Sequence, residues 1–197
     1  MNDLNMRTDD ELVGLYSEGK SEAFGILLDR YKERLYTYIL FVVRRRDLAD
    51  DIFQDTFVKA IVTLQKGGYT CTGKFGAWLT RIAHNLIIDT FRQDRNENLI
   101  SNDACETDIL NNASLCECNI EDKMVDAQVL RDVRKLVCML PDNQREVIIM
   151  RFYQNLSFKE IADITGVSIN TALGRMRYAL INIRKIASDK GISLSLS

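Results

Sequence analysis

One proline in 197 residues is the first thing this chain withholds. With ten glycines beside it, the sequence has few breakpoints, which argues against collagen-like and turn-dense all-β architectures and permits long helices. Long apolar runs are missing as well. The longest, "YILFVV", is far shorter than a membrane span and ends at Arg44, Arg45 and Arg46, so no membrane insertion is expected. The opening "MNDLNMRTDDEL" is acidic, without the apolar segment of a signal peptide, and a cytosolic protein is the expectation. Metal-ligating residues are scarce: one histidine, His84, and five scattered cysteines, Cys71, Cys105, Cys116, Cys118 and Cys138. Cys116 and Cys118 could form half a metal or redox site, but no second cysteine pair comes after them. Reduced thiols, with no metal and no cofactor, are expected.

A net charge of −2 offers no hint of a nucleic-acid partner, but the average hides a segregation. Residues 1–100 are nearly balanced, with 14 basic and 15 acidic side chains. Residues 101–128 carry one basic and seven acidic, whereas 129–197 carry 11 basic and six acidic. A basic C-terminal third succeeds an acidic middle.

Apolar periodicity is helical almost throughout. Helices are predicted from near Asp9, from Ser21 with Ser21-Glu22 as its cap, and over Asp47–Leu64, where Ala49, Ile52, Phe53, Phe57, Ala60 and Leu64 share a face. Gly67, Gly68 and Gly73 mark a loop in "QKGGYTCTGK", and another helix spans Phe75–Arg95. After Asn96 the pattern fails in a polar, acidic stretch that reads as a flexible linker. It resumes near Met124, with Val133, Leu136, Val137 and Leu140 on one helix that Pro141 ends. "DNQREVIIMRFYQ" is the next helix. The expected fold class is all-α: two small helical domains, 1–98 and 124–190, joined by an acidic linker over 99–123, with a frayed tail at 191–197.

"LSFKEIADITGVSINTALGRMRYAL", Leu156 to Leu180, has the pattern of a helix-turn-helix over 158–177. Ser157 and Glu160 form a capping box, Ala162 is small where a second helix must approach, Gly166 turns the chain and Ser168 caps the second helix. In that second helix Ala172, Met176, Ala179, Ile183 and Ile186 form the predicted buried stripe. The opposite face carries Asn170, Gly174, Arg177, Ile181 and Lys185, flanked by Thr171, Tyr178 and Arg184. Asn170, Thr171, Arg177 and Tyr178 are of types that reach base edges or phosphates. Arg175 falls nearer the buried edge, where an ion pair with Glu160 competes with a phosphate contact. Gly174 is unfavourable in a helix, and either close approach of another molecule or simple drift accounts for it.

Two further surfaces lie in the first half. Arg81, Asn85, Ile88, Arg92 and Arg95 form one line along the Phe75–Arg95 helix, suited to a nucleic-acid backbone with Asn85 able to pair with a base edge, though the charge pattern alone fits a solvated helix face as well. Leu79, Ile82, Ala83 and Leu86 bury the other side. Trp78 is expected in the core. On the Asp47–Leu64 helix, Asp47, Asp51, Gln54 and Asp55 line up with Val58 and Val62 away from the core, an acidic and apolar mixture suited to a protein partner. Asp47 also suits a helix N-terminus for electrostatic reasons alone.

Taken in order, "DLADDIFQDTFVKA", the glycine-containing loop, "KFGAWLTRIAHNLIIDTFR", the linker and "LPDNQREVIIMRFYQNLSFKEIADITGVSINTALGRMRYAL" resemble the bacterial sigma-70 family. The resemblance is greatest to its compact extracytoplasmic-function (ECF) group. It implies a dissociable transcription initiation factor, not an enzyme. Residues 1–98 would be sigma region 2. There Asp50, Asp51, Gln54, Asp55, Phe57 and Val58 would dock on the β′ clamp helices of core RNA polymerase. The Gly67–Lys74 loop, with Lys74 and the Arg81, Asn85, Arg92 and Arg95 stripe, would recognise and melt the −10 promoter element. Residues 124–190 would be region 4, reading the −35 element through Asn170, Thr171, Gly174, Arg175, Arg177 and Tyr178. The further implied partners are the β flap, promoter DNA and an anti-sigma factor. The chain departs from the family at Leu173 and Gly174, where members often carry a basic residue and a serine. Two other readings compete: a stand-alone helix-turn-helix regulator with a sensing N-terminal domain, and a small all-α enzyme or metal protein using His84, Cys116 or Cys118.

Overall fold

The computed structural model describes residues 4–100 and 133–190, the side chains of 96–100 excepted. Residues 101–123 of the expected linker, with Cys105, Cys116 and Cys118, lie outside the described residues, as do the expected start of the second domain at 124–132 and the tail. Every described regular element is helical. The chain divides into two units, Met1–Asn102 and Asp103–Ser197.

The first unit contains a short 3-10 turn (Leu4–Met6), α1 (Asp9–Ser17), α2 (Ser21–Val43), α3 (Arg46–Gln65) and α4 (Phe75–Ile100). Thr8 starts α1 through a reciprocal capping box with Glu11. That arrangement satisfies backbone donors that the first helical turn cannot pair internally. The α1–α2 turn corrects one expectation. Lys20, not Ser21, is the N-cap of α2 and makes no side-chain cap bond, because the turn through Gly19 leaves Ser21 already inside the helix. At its other end α2 closes on Arg44, in left-handed conformation at φ 58°, whose N–H donates to the Leu40 carbonyl.

Leu12 and Val13 of α1, Leu27, Leu35 and Ile39 of α2, Ala60 of α3 and Leu79 and Ile87 of α4 are all buried. Between α2 and α3 runs an aromatic series in which Phe57 packs on Phe24 and Phe53, and Phe53 on Tyr36. Leu86 is only half-buried and its neighbour Ile87 is covered instead. Thr56, polar on the inner side of α3, is tolerated because its hydroxyl donates to the Ile52 carbonyl at 2.6 Å. His84 is a core residue within hydrogen-bond distance of Tyr38, Nδ1 to Oη 3.2 Å. The α4 helix continues to Ile100, beyond the expected end at Arg95 and past the expected domain boundary at 98.

In the second unit, α5 is described over 133–138, then come α6 (Asp142–Phe152), α7 (Phe158–Thr165) and α8 (Ile169–Asp189). Pro141 stands at the N-cap of α6, where its missing N–H goes unneeded. Leu136, Leu140, Val147, Ile149, Ile161 and Ala172 form the centre of the core. Arg145 is buried with them, 1% exposed. Its guanidinium donates to the Leu140 carbonyl and to Asp142, while Nε finds no partner.

Candidate nucleic-acid interface

The helix-turn-helix is built by local chemistry. The Glu160 N–H donates to Ser157 Oγ at 3.3 Å, and Glu160 Oε2 accepts from the Ser157 N–H at 2.9 Å. Ile161, Ala162 and Ile164 bury the inner side of α7. Gly166 ends it at φ 67°, a conformation that costs glycine least, and its N–H donates to the Ala162 carbonyl. Ser168 then caps α8 by accepting the Thr171 N–H at 3.0 Å. Ala172, Met176 and Ala179 are buried as the period predicts. Ile183 and Ile186 are only half-buried, and Ala187 takes the covered position instead.

The outer face of α8 exposes Asn170, Thr171, Arg177, Tyr178, Ile181, Arg184 and Lys185. Tyr178 is 62% exposed. Arg175 and Gly174 are half-buried. The Arg175–Glu160 ion pair that the sequence allows is not formed among the described residues, since Glu160 turns back on Ser157. Exposed apolar residues, Ile169, Leu173 and Leu180, run beside this polar face.

On α4, Arg81, Asn85, Arg92 and Arg95 are exposed while Leu79, Ala83 and Ile87 are buried, so the stripe lies on the outer side of the helix. Ile88 within the line is half-buried. Arg92 lies 3.6 Å from Asp89, an exposed pair that competes weakly with any other anion. Lys74 is exposed at the end of the loop that precedes α4. Trp78, expected in the core, is half-buried. It packs on Phe75 and on Tyr69 of that loop, 4.9 Å between the Tyr69 and Trp78 ring centroids.

The third surface is α3. Asp47, Asp50, Asp51, Gln54, Asp55 and Val58 are exposed, and Val58 and Val62 remain open to solvent at 59% and 41%. Phe57 differs: it is 6% exposed and belongs to the core, so its part is to hold α3 on α2 rather than to meet a partner directly. Asp50 accepts the Tyr36 hydroxyl at 2.7 Å. Burial first, then this bond, raises the Tyr36 pKa. Asp47 is held below the usual carboxylate range, chiefly by Arg45 at 3.0 Å.

Sequence reasoning missed two neighbouring aspartates of α1. Asp9 pairs with Arg30 at 2.7 Å and accepts the Tyr31 hydroxyl, tying α1 to α2. Asp10 instead reaches the loop, accepting the Tyr69 hydroxyl at 3.1 Å and the Gly73 N–H at 2.8 Å. Burial and then the Asp10 bond push the Tyr69 pKa up to about 12. No signal in a single sequence couples residues 59 and 63 positions apart. Among the described residues no group of three or more His, Cys, Asp or Glu is placed to hold a metal ion, and no helix is long and apolar enough to cross a membrane.

Two family models match the chain, Sigma-70 region 2 over residues 27–97 and Sigma-70, region 4 over 130–177. Together they cover more than half of it. The ECF RNA polymerase sigma factor SigW of Bacillus subtilis is 27% identical over 87% of this chain and 92% of its own length. The ECF RNA polymerase sigma factor BldN of Streptomyces coelicolor is 32% identical over 79% of this chain and 57% of its own. Among solved structures, the sigma factor RpoE of Bartonella quintana, in complex with the anti-sigma factor NepR, has a similar fold. Its TM-score is 0.66 and its identity 23%, over 84% of this chain and 96% of that one.

Proposed function

Because the chain belongs to the sigma-70 family, in its ECF group, we propose that it binds core RNA polymerase and directs it to a bipartite promoter. In this reading α3 docks on the β′ clamp helices through Asp50, Asp51, Gln54, Asp55 and Val58. The 66–74 loop and the outer side of α4 hold the −10 element, with an unstacked base taken from the strand and read outside the duplex. The helix-turn-helix sets α8 in the major groove of the −35 element. The second unit also meets the β flap, and an anti-sigma factor covers one or more of these faces when transcription is not required.

The observation that carries the reading is the α4 stripe. Arg81, Arg92 and Arg95 stand in line on the exposed side of a helix whose other side is core, with Asn85 between them. Cations spaced along one exposed side of a helix suit a phosphate chain. The exposed carboxylates and valines of α3 support a protein partner with a basic, partly apolar surface.

In vitro transcription with core polymerase on a promoter library tests all three surfaces together. The expected result is initiation that depends on this chain, at sites sharing two spaced elements. Tight, sequence-specific binding of duplex DNA by the chain alone, with no effect on core polymerase, would instead identify a stand-alone regulator.

A further inference from the structure

We propose that Asp10 is a positioning residue that sets the shape of the 66–74 loop, and through it the choice of −10 base. The inference rests on the reading of that loop and α4 as the −10 site. Its own evidence is a single carboxylate bonded to the loop at two points. Oδ1 accepts from Tyr69 Oη and Oδ2 from the Gly73 N–H. Between these anchors stand only Thr70, Cys71 and Thr72, all exposed.

Each end of this staple is itself held. The Tyr69 ring packs on Phe75 and Trp78 at the start of α4. Gly73 adopts φ 69°, which a residue with a Cβ rarely takes, so its N–H can point at Asp10. On the other side α1 is anchored by its Thr8–Glu11 capping box and by Asp9 on Arg30. An acid in the first turn of a helix is favourable wherever it points. That preference does not account for two directional bonds to a segment about sixty positions away. The fit is of a fixed bracket: α1 is clamped to α2 by one aspartate and presents the next to the loop. A tip so restrained loses less freedom when it closes on an unstacked base, and rejects bases that would require another shape.

The test is transcription by core polymerase loaded with the full chain, on promoters differing by one −10 base. Asp10→Ala should lower output from the best promoter by about tenfold. It should also narrow the spread between good and poor −10 bases, leaving −35 preference and affinity for core polymerase unchanged. Tyr69→Phe, which keeps the ring and removes one bond, should narrow the spread less, and Asp10→Asn, with one acceptor left, should fall between. Circular dichroism melting keeps the comparison to folded protein. An Asp10→Ala chain that loses output equally at every −10 sequence, or loses none, overturns the proposal while the site reading stands. A wild-type chain that shows no −10 dependence with core polymerase removes the site reading, and this inference with it.

Discussion

At Gly174 a Cβ would meet no atom within 4 Å, and the backbone there is ordinary helix. The fold therefore has no use for a glycine at this position. Gly174→Ala should stabilise the second unit by about 1 kcal/mol, measured by denaturant melting. A loss of stability would reveal crowding that the structure lacks. Arg177, exposed one turn further on, is the residue to test for base reading. Arg177→Ala should cost about 1–3 kcal/mol at one −35 position, and a uniform loss across −35 variants would assign it to phosphate instead. Arg145 was illegible as a core residue, since a charged side chain in "DNQREVIIM" reads as solvent-facing. It is nevertheless covered, with Asp142 and the Leu140 carbonyl as its partners. Arg145→Ala should destabilise the unit by about 2–4 kcal/mol. Arg145→Met should cost less, because it fills the space and removes the unpartnered Nε.

Among the elements, helices with caps written in adjacent residues were readable to within a residue or two. The capping box of α7 and the serine cap of α8 stand where the sequence puts them. Ser21 misled because residue type suggests a cap while the backbone of the preceding turn decides which residue becomes one. Helix α4 ran on to Ile100 because hydrogen bonds propagate along a formed helix after its apolar pattern has stopped. On α8 the predicted stripe is only half-covered at Ile183 and Ile186, while Ala187, on the adjoining side, is buried. Ser157→Ala should cost the second unit about 1 kcal/mol, read from its melting transition. In α1, Glu11 is held below its ordinary pKa of 4.5, first by the Thr8 N–H and then by the Thr8 hydroxyl. A carboxylate lowered on folding contributes stability that is complete above its unfolded pKa and is lost as pH falls through the folded value. The first unit should therefore weaken below about pH 4.5, and Glu11→Gln should flatten that acid limb of a pH-dependent melt.

For the whole molecule, the sequence disclosed the segregation of charge, the all-α class and the order of surfaces along the chain. It did not disclose which polar groups meet across the fold, such as Asp10 with Tyr69 and Gly73, because those pairings arise only when α1 and the loop are brought together. Aligned arginines on α4 and basic residues on α8 imply promoter binding that falls steeply with salt. In a plot of log affinity against log salt for the polymerase complex, Arg92→Ala or Arg95→Ala should each reduce the slope by roughly 0.9 if the residue meets a phosphate of duplex DNA, and by roughly 0.7 if it meets one of a melted strand. An unchanged slope would place that arginine off the DNA. If both units read DNA as proposed, each can bind weakly, since a second contact made by a tethered partner is effectively intramolecular.

The unbroken run of α4 has a metric consequence. Arg81 and Arg95 are fourteen residues apart on one helix. That separation corresponds to about 21 Å along the axis, close to the rise of roughly six stacked bases. Its side chains are graduations on a ruler, fixed by the helix and not by any flexible joint. Inserting one residue between Asn85 and Arg92 would swing the far marks by about 100° around the axis and lengthen the scale by only about 1.5 Å. If the −10 strand lies along α4 as proposed, the helix gauges its length.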